Sequence, residues 1–259
     1  MVPWHDKGVA TFEGEDLRGA RFVDCRLDGA EFREASLVGA RFIGSVLVDV
    51  EIDALVRNLT VNGVDVVPLV EAELDRRHPE RLALRPADPV GAGRALDVVD
   101  AFWAPTIELV RSLPEAARHQ RVAGEWSVVE TLRHLLFVYD AWFGRAVLGE
   151  ARPYHPLGLT ASFLDPEDFG IDADLRPDID EVLAARKARQ DQLRAHVATM
   201  DAEILGRPVS THGIAGFPPE EERSPLDCLR VILNEEWSHH RFAVRDLAVL
   251  APRGNLAAD

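Results

Sequence analysis

Two rhythms of apolar residues run along this chain. From about residue 10 to residue 52, a large apolar side chain recurs at every fifth position: Phe12, Leu17, Phe22, Leu27, Phe32, Leu37, Phe42, Leu47 and Ile52. A small residue stands two places before most of them, at Ala10, Ala20, Cys25, Ala30, Ala35, Ala40 and Ser45, with Glu15 and Val50 as the exceptions. Period five fits neither the helical period of about 3.6 nor the strand period of 2. It fits a solenoid whose five-residue faces each turn one large and one small side chain inward. From Pro68 to Arg77 a short charged helix is expected, ending before Pro79, and Arg85-Pro86-Ala87-Asp88-Pro89 reads as a linker. Helical periodicity then takes over.

Four long helices follow, at about Gly93 to Leu113, Ser127 to Leu148, Ile179 to Met200 and Pro225 to Leu250. Pro105 is expected to kink or split the first. Ser127 with Glu130 three residues on predicts a capping box for the second, and Ser224-Pro225 a cap followed by Pro at the first helical position for the fourth. About thirty residues separate the second and third helices and about twenty-five the third and fourth, lengths expected of functional covers or crossovers. With no strand signal in this part, the fold class read from the pattern is mainly α: a four-helix bundle preceded by a short solenoid. The expected division is 1–60 for the repeat, 61–89 for a capping helix and linker, and 90–252 for the bundle.

Composition narrows the function classes. The formal net charge of −15 opposes general binding to nucleic acid or anionic membranes, which needs clustered Lys and Arg. Cys25 and Cys228 form neither a disulfide framework nor a CxxC pattern, and Cys25 is expected inside the solenoid as a small residue. No leader-like segment or long apolar run is evident, so a cytoplasmic protein is expected.

The fourth helix holds the candidate chemistry. At about 100° per residue, Leu229, Leu233, Glu236, His240, Ala243, Val244 and Leu247 gather on one face. A carboxylate within such a stripe costs several kcal/mol unless a cation compensates it. The cation is either a buried side chain or a metal ion, and the stripe itself supplies no Arg. Glu236 and His240, one turn apart, form a two-ligand clip, and His134 on the second helix is the best third donor. Two histidines and a carboxylate suit hydrolytic zinc and non-haem iron alike. Glu235 and His239 have the same spacing and are the rival pair, nearer the edge of the stripe. Trp126 and Trp237 are expected to pack around the site, and His155 and His212 lie in the long loops. Asp140 is expected to be solvated or to act as a cap.

Two family resemblances bear on this pattern. The five-residue register resembles the pentapeptide-repeat family, which implies a right-handed four-sided β-helix of about two coils, a structural or docking module. Trp126-Ser127-x-x-Glu130-x-Leu132-x-His134-Leu135, followed much later by a ligand, three residues and His240-Arg241, resembles the DinB family of four-helix metal-binding proteins. Typical members place histidine at all three ligand positions, whereas here the middle one is Glu236. The resulting His-Glu-His set is similar to the mycothiol-dependent maleylpyruvate isomerase branch, whose members bind zinc. This resemblance implies His134, Glu236 and His240 as ligands of a divalent metal, zinc first and iron or nickel as alternatives. It also implies a low-molecular-weight thiol as co-substrate of a transferase, isomerase or hydrolase. The competing reading is a non-catalytic, metal-stabilised binding or stress-response module, and a third is Fe(II) oxidant chemistry on the same triad. The expected partners are a small-molecule substrate or thiol, and a second copy or another protein on the repeat.

Overall fold

A computed structural model of the chain describes residues 10–209 and 216–250. The chain divides into two compact units, Met1–Val46 and Leu47–Asp259. In the first, the five-residue rhythm is written in the backbone. A left-handed residue falls two places after each large apolar one, at Gly14, Gly19, Asp24, Gly29, Glu34, Gly39 and Gly44. Turns close every ten residues through Ala20, Ala30 and Ala40, whose N–H groups donate to Leu17, Leu27 and Leu37 at 3.0 Å. The expected enclosure does not follow. Residues 10–46 contain no strand, and the large repeat side chains from Phe12 to Ile52 stay 44–62% exposed. Bending at fixed intervals is a local property of the repeat. A β-helix also needs hydrogen-bonded ladders between coils. Cys25, expected inside, is exposed as well.

The second unit opens with a two-stranded hairpin, β1 (Thr60–Val61) against β2 (Val64–Asp65). Asn62-Gly63 turns it, both residues at positive φ, as such a two-residue loop requires. Helix α1 (Val67–Arg77) is held by charge: Arg81 and Arg85 both reach back to Glu71 and Asp75. Helix α2 (Pro89–Ser112) starts where Asp88 accepts from the Gly91 N–H at 2.7 Å, and it continues through Pro105 as one helix. A short α3 (Glu115–Arg118) leads to α4 (Val128–Tyr139), which passes into a π-helical turn, Asp140–Arg145. The predicted capping box is present: Ser127 Oγ accepts from the Glu130 N–H, and the Ser127 N–H donates to the Glu130 carboxylate at 2.8 Å. Helix α5 (Ile179–Ala198), the short α6 (Ala202–Gly206) and α7 (Pro225–Leu250) complete the unit. Replacing Ser127 with Ala is expected to lower stability by about 1 kcal/mol, read as a shift in a denaturation midpoint.

Helix α4 packs on α5 and α7, and α2 packs on the same two, so α2 and α4 lie diagonally across the bundle. Helix α4 is buried along its length except at Glu130, because the 150–178 connection covers the side its neighbours leave open. Buried Arg133 fastens that cover, donating to the carbonyls of Leu157, Gly158, Asp172, Ala173 and Leu175. A second apolar cluster of Phe137, Ala141, Phe169 and Ile171 forms beneath it. Asp140, expected to be solvated or to act as a cap, is fully buried: it accepts from Arg189 at 2.6 Å and from the His155 N–H at 2.8 Å.

Cys228 lies in the core, where burial pushes its thiol up to about 12. A thiol-reactive disulfide reagent is therefore expected to titrate one thiol, Cys25, in the native protein and the second only after unfolding.

Candidate metal centre

Successive residues on α7 point about 100° apart, so its two Glu–His pairs serve different neighbours. Glu236 and His240 face α2 and α5. Glu236 is fully buried; Arg186 Nη2 from α5 donates to its carboxylate oxygens at 2.6 and 2.7 Å, and the Trp103 indole N–H from α2 donates at 2.6 Å. Tyr139 lies beside the pair, and burial together with the Glu236 charge raises its phenol well above the usual range. His240 meets Thr106, with Oγ1 and Nε2 2.8 Å apart, and its ring packs against the Phe102 ring at 4.6 Å. Burial lowers its pKa to about 4, so it is neutral near pH 7.

The structure thus does not assemble the expected triad of His134, Glu236 and His240. The cation that compensates Glu236 is a guanidinium from another helix, and the His240 ring is already engaged by α2.

His134 meets the rival pair instead. His134, Glu235 and His239 are the only cluster of three or more metal-ligating side chains among the described residues, with one ligand atom from each lying within 4.8 Å of the others. Glu235 Oε2 stands 3.1 Å from His239 Nε2 and 3.8 Å from His134 Nε2. Tetrahedral bonds of about 2.0–2.1 Å put neighbouring ligand atoms about 3.3 Å apart, so little movement would close the three around one ion.

Protonation supports that use. His134 Nδ1 lies 3.1 Å from the Leu159 carbonyl, to which it donates. That bond leaves Nε2 aimed at Glu235, and burial lowers the ring's pKa. Burial alone would raise the Glu235 carboxyl, but its bonds with the two imidazoles bring it down to about 2. The carboxylate is therefore charged across the neutral range. The Leu159 carbonyl plays the orienting part that ligand histidines commonly require, and sequence reasoning had no signal for it.

The surroundings are aromatic. Trp126 packs at 4.7 Å from the His134 ring and is nearly parallel to the His239 ring at 5.9 Å. On the other side, Phe137 leads from His134 to Tyr154, Phe169 and Phe217. Tyr154 Oη donates to the Phe217 carbonyl at 2.8 Å, tying the two long connections together. Trp237, expected near the site, instead packs against His78 and beneath Arg81 and Arg241. His155 is not in the cluster; its Nδ1 accepts from the Leu157 N–H at 3.1 Å. His212 lies outside the described residues.

A helical bundle with a His–carboxylate–His cluster between α4 and α7 defines a class of metal-binding fold. The family model for the DinB superfamily matches residues 99–243, more than half of the chain, which therefore belongs to that superfamily. The model for pentapeptide repeats matches residues 12–48 in eight copies. The search of curated proteins returned no match, and neither did that of solved structures.

Proposed function

We propose that this chain is a metal-dependent DinB protein in which His134, Glu235 and His239 hold one divalent ion, zinc in preference to iron or nickel. The observation behind this reading is the convergence of three ligand atoms in a half-buried site whose carboxylate is held ionised. Bound there, such an ion would supply Lewis acidity and lower the pKa of a water or thiol reaching it. The chain's own residues do the rest. Leu159 orients His134, Trp126 covers the two imidazoles, and the Phe137–Tyr154–Phe217 wall limits access of water.

The reaction we favour is transfer or isomerisation assisted by a low-molecular-weight thiol of the mycothiol type, carried out in the cytoplasm. Neither cysteine lies in the cluster, so the sulfur would come from the co-substrate. The pentapeptide matches support a second element of the proposal: the repeat acts as a short coiled docking module for a second copy or another protein. Its row of exposed large apolar side chains suits that role.

The test is titration of cobalt-substituted protein with mycothiol or a shorter cysteinyl thiol. A thiolate-to-cobalt charge-transfer band that saturates at one thiol per metal is expected. Stoichiometric cobalt with no spectral response would leave a non-catalytic, metal-stabilised module as the better reading.

A further inference from the structure

A second cavity lies on another side of α4. Arg133 and His134 are adjacent and so point about 100° apart, and Arg133 borders a space of about 240 Å³. Its walls include His119 and Arg121 after α3, Glu130 and Arg133 on α4, and Asp174 and Arg176 on the long connection. Three guanidinium groups thus face two carboxylates, a local positive excess in a chain of net charge −15.

The partners of these groups sharpen the balance. Arg121 is paired with Glu130 at 2.6 Å, so those two charges cancel. Arg133 is fully buried, and all five of its hydrogen bonds go to backbone carbonyls; the charges of Glu130 and Asp172 act on it without a hydrogen bond. Buried cations are ordinarily paired. Arg176 is exposed and makes no hydrogen bond or ion pair among the described residues, although its charge acts on His119. Asp174 is the other carboxylate on the lining.

From this we infer that the cavity between α4 and the 173–176 segment binds a small organic anion. The anion's carboxylate or phosphate would be gripped by Arg176, with the buried Arg133 charge behind it. At about 30 Å³ per water, the space holds roughly eight water-sized groups, which suits a short carboxylic acid or phosphate monoester rather than a nucleotide. The α4 N-terminus contributes little, because Ser127 and Glu130 already close its first turn. The site does not rest on the metal reading, since none of its lining residues belongs to the His134 cluster.

The experiment is calorimetric titration of the full chain with succinate and, separately, with inorganic phosphate at constant ionic strength. Both titrations are repeated after treatment with a chelator, and histidine ring resonances are followed by NMR. Saturable binding that survives chelation and moves the His119 ring signals is expected from at least one probe. Its preference for one probe separates a carboxylate ligand from a phosphate. Arg176→Glu, an exposed change that leaves the Arg133 fastening intact, should weaken binding by tenfold or more, the loss of about one charge-assisted contact. Absence of binding by both probes would overturn the proposal. So would binding that disappears with the metal, or affinity unchanged in R176E. A protein that holds no metal but still binds the anion would count against the metal centre alone.

Discussion

Replacing Glu235 with Gln is expected to strip the protein of its metal, whereas His240→Gln, one residue beyond His239, leaves the metal in place. Glu235 supplies the central charge of the cluster, with Oε2 3.1 and 3.8 Å from the two imidazole nitrogens. An amide keeps the shape but removes the one anionic ligand of the cluster, a charge that imidazole ligands do not supply. Outer partners of metal ligands alone cost about 10–100-fold in affinity when lost, so the loss of a ligand charge should exceed about 100-fold. Metal content after dialysis against a weak chelator, measured on wild type, E235Q, His239→Ala and H240Q, reads the result. His240 is engaged with Thr106 and Phe102, so its variant loses stability but should keep its metal. Equal metal loss in H240Q and E235Q would return the assignment to the Glu236 face.

The second large effect is on folding. Glu236→Ala should destabilise the bundle by about 3–5 kcal/mol, the usual result of stranding one member of a buried ion pair. For a unit of this size, that corresponds to a fall in Tm of roughly 6–20 °C. Arg186 would be left with its charge buried, and the Trp103 indole N–H would lose its acceptor. A double change, Arg186→Met with Glu236→Leu, removes both charges together and should recover much of the loss, because well-packed apolar residues often replace such a pair at little cost. Differential scanning calorimetry of both variants checks this. If E236A lost its metal while keeping its wild-type Tm, Glu236 would be a ligand after all.

Much of the bundle was legible in the sequence because its signals are local. The predicted capping box at Ser127 and Glu130 is formed. The Ser224-Pro225 start leads into a helix ending at Leu250. His134 was identified from its motif and does join the cluster. The repeat was equally legible as a register, since each left-handed residue follows from the five-residue pattern itself. Its enclosure depended on pairing between distant coils, and there the expectation and the structure part. Arg133 and Arg176 carry no signal in the sequence, because an Arg on a helix or loop reads as solvated until its neighbours are known.

By itself, the sequence determined that α7 presents two Glu–His pairs at i and i+4 and that one histidine of α4 belongs with one of them. Periodicity reports which residues share a face of one helix, not which neighbour that face meets. Only the tertiary structure decided between Glu235 and Glu236. Arg186 lies on α5, fifty residues away, in a helix whose charges gave no sign that one of them turns inward. By neutralising Glu236 it fixes the rotation of α7. The next residue, about 100° around the axis, is then the one left facing His134.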